Sequence, residues 1–299
     1  FQALDQLVLA MPGERAAVLR KGDFDVRLEA ANTASIASDQ EAQASVTMKF
    51  ETVRAGLFLR YGLTDRLELG AEIPAYHRYG GFMEGPILGV ERGTTGVSPP
   101  RKALRDLGYA FNISKGGRTV FQGSENATGL GDVSFYGKYQ LLQETASRPA
   151  LSVRVAVKAP TGDTGEVFGS GHPDGGIGLA LDKTFATGWI LYVNVNGIFP
   201  TGRIAGLSLQ PVVTGLVAVE YLWTENFSIT AQFDYYSPPF HGTGTRVLDK
   251  GVTESVLGVS YRLLPQLIWQ LYGVENLDFI TGSAADFTLS TVLTYRFRS

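Results

Sequence analysis

Apolar and polar residues alternate with a period of two along most of this chain. Residues 55–63 read AGLFLRYGL: Ala55, Leu57, Leu59, Tyr61 and Leu63 share one face, and Gly56, Phe58, Arg60 and Gly62 the other. After Thr64-Asp65-Arg66 the pattern resumes, with Leu67, Leu69, Ala71 and Ile73 opposite Glu68, Gly70 and Glu72. A helix would scatter these apolar residues around its circumference; a strand gathers them on one face. The segment predicts an antiparallel hairpin with a short polar turn.

The unit recurs. Val133, Phe135, Tyr139 and Leu141 lead through 143–149 to Leu151, Val153, Val155 and Val157. Further hairpins turn at 186–188, 224–226 and 264–266, an opening strand starts at Phe24, and a closing one carries Phe287 to Phe297. The tally is about twelve strands of ~9–12 residues, an even number as outer-membrane barrels require. Between the short turns lie long links at 77–128, 160–174, 200–208, 237–252 and 278–284, with an intermediate one near 35–44. Short turns on one rim and long loops on the other are the pattern of such a barrel. The predicted fold class is therefore all-β: one transmembrane antiparallel β-barrel over 1–299, with short periplasmic turns and long extracellular loops. The expected location is the bacterial outer membrane, facing lipid and lipopolysaccharide, as a monomer. Residues 1–15 precede the first strand and are expected in or under the periplasmic end. The chain opens at Phe1 without a signal-peptide pattern, and the reading expects a leader cleaved before this numbering.

Composition sharpens this picture. Hydrophobic residues make up 44% and charged ones 18%, below the roughly 25% charged of globular proteins. The uncharged run between Lys183 and Arg203 holds Gly188, Asn194, Asn196, Gly197 and Pro200, which is no helical span. Mean hydropathy is +0.03, as expected where apolar and polar positions alternate. A soluble sandwich or lipocalin-like barrel also alternates, but an eight-stranded interior is already full of side chains. Aromatic residues gather at strand ends (Tyr61, Tyr76, Tyr79, Trp189, Tyr221, Trp223, Phe227, Tyr235, Trp269, Tyr295, Phe297), where interfacial girdles sit. The absence of cysteine excludes disulfides, thiolate metal sites and a cysteine nucleophile. With 26 basic and 29 acidic side chains the formal charge is −3, which gives no broad attraction to nucleic acid.

Three stretches carry a resemblance: YGLTDRLELGAEIP (61–74), GLGDVSFYGKYQLL (129–142) and VKAPTGDTGEVFGSGHPDGGIGLAL (157–181). Together they resemble a proteobacterial outer-membrane family of unknown function, related to the channels linked to meta-pathway phenol degradation. The resemblance covers most of the chain and implies a channel-type barrel. It brings no catalytic residue and no substrate. One departure is that Arg298 and Ser299 follow Phe297, where such barrels commonly end on an aromatic residue.

The alternation predicts pore-lining positions: Arg54, Arg60, Glu68, Glu72, Lys138, Arg154, Lys158, Asp182, Glu220, Asp234, Arg262 and Arg296. Such a set either tunes ion passage or pairs across strands to fix register. Loop 77–128 is too long to be structureless and too apolar for a solvated flap. Its Phe82, Met83, Leu104, Leu107, Tyr109 and Phe111 predict a constriction over or inside the mouth, with a cap as the rival reading. His77, His172 and His241 show no metal-ligand spacing, so no metal or cofactor is expected. Ser170 and His172 lack an orienting third group, so no catalytic residue is assigned. The predicted function is passive diffusion of small solutes, hydrophobic or aromatic compounds among them. A barrel enzyme of lipase or deacylase type, or a structural or adhesive barrel, is the alternative.

Overall fold

A computed structural model describes residues 4–41, 43–94, 96–277 and 285–298. The barrel strands are β1 (Phe24–Gln40), β2 (Ala44–Gly62), β3 (Leu67–Tyr79), β4 (Ser134–Leu142), β5 (Ala150–Lys158) and β6 (Asp174–Ala186). They continue with β7 (Trp189–Pro200), β8 (Val212–Leu222), β9 (Phe227–Tyr236), β10 (Val252–Leu264), β11 (Leu267–Asn276) and β12 (Ala285–Phe297). Each pairs antiparallel with its neighbours in the chain, and β12 returns to β1 in register from Phe24↔Phe297 to Ser35↔Ala285. Twelve strands thus close without an edge, which satisfies the backbone hydrogen bonds that lipid cannot.

The parity predicted from the chain holds around the wall. Outward-facing Leu69, Phe135, Val155, Leu179, Val195, Val217, Phe233, Leu257 and Leu289 are exposed, forming the apolar face a bilayer covers. Near the short turns, aromatic rings crowd on the outside: Trp189 lies 4.6 Å from Tyr221, and Tyr295 4.6 Å from Phe297. Tyr76 departs from its expected girdle position. It faces inward, is buried, and stacks on Phe168 at 5.5 Å.

The link expected near 35–44 shrinks to 41–43, because β1 and β2 run on together as far as Gln40↔Ser45. This overhang is widened by two short strands, Ala110–Lys115 on β2 and Arg118–Gln122 beyond it, while Ala127–Leu130 pairs with the end of β3. Loop 77–128 is accordingly built from elements. It also contains α1 (Glu84–Gly93) and α2 (Pro99–Ala103). The long link at 278–284 lies outside the described residues.

The main hydrophobic core sits beneath these long links. Ala37, Val46, Met48 and Phe50 meet Phe111, Ile113, Phe121, Val167, Ile204, Phe240 and Leu248, with Leu4 and Leu7 from the N-terminal segment. Burying these side chains together, at roughly 1.5–3 kcal/mol each, turns the loop rim into a packed roof. Arg78 ties it to the wall. Its guanidinium lies over the rings of Phe168, Phe111 and Phe50 at 4.6, 4.7 and 5.4 Å and donates to the Glu166 carbonyl at 2.8 Å.

Candidate functional site

The interior of the barrel is occupied. Residues 4–22 enter under the roof and run the length of the lumen to the short-turn rim, where the chain turns into β1. For residues 4–15 this corrects the expected placement at the periplasmic end. An extended segment cannot pair with the closed wall, so its backbone must be satisfied by inward side chains. The Lys158 ammonium donates to Leu7 O, Tyr136 to Ala10 O, Arg154 to Pro12 O and Asn196 to Met11 O. Ser152 donates to Ala16 O. In the other direction, Leu9 N donates to Asp174, Glu14 N to Asn194 and Leu19 N to Glu68, at 2.8–2.9 Å. The anchoring wall is β3–β7, and Gly13 passes so near β8 that a Cβ there would stand 2.4 Å from Leu216 Cδ1. At the exit Gly62 has no room either: a Cβ would lie 2.0 Å from Arg20 O, where Gly22 N donates to Gly62 O and Gly62 N to Asp23 O.

The twelve residues predicted to line the pore share inward parity, and the structure shows what each touches. Arg54 pairs with Glu72 and with Glu29. Arg60 and Arg296 both pair with the fully buried Asp25. Lys138 lies 3.1 Å from both Glu68 and Glu14 of the segment. Arg154 also donates to Asn194, and Asp182 sits 3.6 Å from Arg15. Glu220 accepts from Tyr192 and Ser228 at 2.5 Å, and Asp234 from Gln232. Arg262 stands apart, exposed at the short-turn rim.

Lys158 is the most connected. Its Nζ lies 2.9 Å from both Asp132 and Asp174, and it donates to Leu7 O at 2.6 Å and Ser170 Oγ at 2.7 Å. Asp132 accepts further from the Gly162 and Ser170 amides. This knot joins strand ends, the 159–173 loop and the N-terminal segment. It also holds Ser170, whose Oγ lies 2.7 Å from Lys158 Nζ and 3.0 Å from the His172 carbonyl. His77 bonds Thr128 and His172 bonds the Arg203 carbonyl. Among the described residues no group of three metal-ligating side chains converges.

The constriction residues divide. Phe111 lies in the roof core with Tyr109 packed against it, and Met83 and Leu104 are buried. Phe82 and Leu107 point outward at 69% and 43% exposure. Tyr109 donates to Gly123 O, and burial beside Arg78 pushes its phenol up against the cation's opposing pull. Glu14, Asp25, Asp132 and Asp174 escaped prediction as site residues. Asp132 and Asp174 lie within or beside the recurring motifs, whereas nothing in the pattern of 1–22 points into a lumen.

One family model spans residues 1–297. The chain belongs to DUF3187, a family of proteins of unknown function. Its matched range takes in the lumenal segment as well as the wall. No curated protein is similar enough in sequence to count as a relative. Among solved structures, the COG4313 outer membrane channel from Pseudomonas putida F1 superposes with a TM-score of 0.67 at 14% identity, covering 97% of this chain and 100% of that one. The P. putida toluene transporter TodX gives 0.44 at 8% identity, covering 100% and 98%. The first match shows that this DUF3187 member shares the fold of an outer-membrane barrel.

Proposed function

We propose that the protein is an outer-membrane channel for passive diffusion of small solutes, narrowed by its own N-terminal segment. The observation that carries this is the asymmetry of the lumen. Residues 6–16 are hydrogen-bonded to β4–β7 and the long-loop end, while inward Thr230, Gln232, Ser260, Gln270 and Tyr272 on β9–β11 stay partly exposed. A wall that only needed filling would bury both halves alike. These five side chains are polar and uncharged, with the carboxyls of Asp234 and Glu254 buried beside them, and they suit small molecules able to hydrogen-bond, aromatic ones included where they carry a polar group. Recesses of about 470 Å³ open at the short-turn end. The P. putida match is itself named an outer membrane channel, which supports the reading at the level of fold.

The lipid-facing belt makes outer-membrane lipid and lipopolysaccharide the surroundings. A single closed wall needs no second chain to complete a path, which supports a monomer as the working unit. No enzymatic step is assigned; among the described residues the Ser170–Lys158 contact sits between the carboxylates of Asp132 and Asp174. The test is planar-bilayer conductance of the whole chain and of a variant lacking residues 1–16. The whole chain should conduct weakly and the shortened one several-fold more. No conductance from either would refute the channel.

A further inference from the structure

The two recesses at the short-turn mouth share Arg296 and Arg298. One is lined in addition by Arg20, Lys21, Asp23 and Asp65. The other adds Arg262 and Asn226, with no carboxylate in its lining. Arg20, Arg262 and Arg298 are exposed. Arg296 is turned toward Asp25, which it bonds at 2.8 and 2.9 Å, but Asp25 also accepts from Arg60 at 2.8 Å. Two guanidiniums thus share Asp25, with Asp23 and Glu68 acting on Arg296 from farther away. The exposed guanidiniums of Arg20, Arg262 and Arg298 therefore set the charge of the second recess and of the rim it shares with the first.

We propose that this mouth is a collecting site for small organic oxyanions, solutes that carry a carboxylate or phosphate. Guanidinium forks match the paired oxygens of such groups, and about 470 Å³ is within the size of small-molecule pockets, roughly 300–1,000 Å³. The second recess, whose lining carries arginine and no carboxylate, also concentrates counter-ions before any contact forms. Arg262 and Arg298 are the residues that bind, and Arg20 and Lys21 extend the field along the emerging segment. The proposal rests on the channel reading and adds a chemical class to its solutes.

Benzoate and inorganic pyrophosphate, added to either side of the protein in a planar bilayer, test it. Both should interrupt the current from the short-turn side at about tenfold lower concentration than from the loop side, in line with counter-ion focusing. In a KCl gradient chloride should be favoured over potassium by about sevenfold, because a potential near one kT enriches the anion and depletes the cation about threefold each. The double variant Arg262→Gln/Arg298→Gln should lose the sidedness, whereas Arg118→Gln, at the opposite rim, should keep it. A conducting channel blocked equally from both sides, or a double variant that blocks like the parent, overturns the anion site and leaves the channel intact. Sidedness that vanishes when anionic lipid is removed would assign the arginines to lipid headgroups and also overturn it. A chain that never conducts, shortened or whole, removes the channel reading and this inference with it.

Discussion

Replacing Lys158 by methionine probes how the lumen stays filled. The ammonium is 2% exposed and sits 2.9 Å from two carboxylates that are themselves buried, Asp132 and Asp174. Methionine keeps most of the volume but leaves both carboxylates without their shared cation. Breaking a buried ion pair from one side costs about 3–5 kcal/mol. The backbone donors that remain, Gly162 and Ser170 on Asp132 with Leu9 and Thr201 on Asp174, place the expectation near the lower end. The Leu7 carbonyl loses its donor as well, so the strain falls on the junction of wall and segment. About 3 kcal/mol is roughly a hundredfold in an equilibrium constant, enough to populate a state with the segment released. The assay pairs single-channel conductance with trypsin added from the short-turn side, for which Arg15 offers a cleavage site. Lys158→Met should raise conductance and speed cleavage. Lys158→Met/Asp174→Asn, with one carboxylate fewer to strand, should recover part of both. Unchanged conductance and protection in the single variant would refute the latch, as would a double variant no better than the single.

Three further expectations follow from the same geometry. Leu257 is 68% exposed toward lipid, between Ala231 and Gly273 on its neighbours; Leu257→Arg should cost up to ~2–4 kcal/mol if near the bilayer midplane, and the inward Gln232→Arg, beside Asp234, about 1 kcal/mol or less, read as urea midpoints after refolding into vesicles. Equal costs would refute the inside–outside assignment. Gly62→Ala should shift the same midpoint down by about 1–3 kcal/mol, an overpacking cost, because the added methyl meets the Arg20 carbonyl; a neutral result would mean that the segment's exit is soft. Epitopes inserted at Gly96 and Gly244 should label on intact cells, while one at Asp65 should label only after the outer membrane is permeabilised. The reverse labelling would invert the topology.

Alternation is a local property, readable from neighbouring residues, and it determined much here. It placed Leu57, Leu59 and Leu69 outside and Arg54, Lys138 and Lys158 inside, because a period-two backbone leaves each side chain only two directions. Link lengths likewise separated the two rims. Which inward residues would meet, and on what, depended on contacts between distant parts of the chain. Lys158 is 151 residues from the carbonyl it holds at Leu7, and Asn194 is 180 from Glu14. The segment 4–22 has no periodicity of its own, since its anchors are mostly side chains of the wall and, among the described residues, it meets strand backbone only where Gly22 N reaches Gly62 O. The roof is legible no earlier: Phe111, Val167, Ile204 and Phe240 come from separate loops whose apolar residues look, one loop at a time, like exposed liabilities. Tyr76 and Arg262 show the same limit from the other side. Tyr76, expected in the girdle, turns inward under the roof, and Arg262, inward by parity, meets water; only closure of the barrel decided what lay at each place.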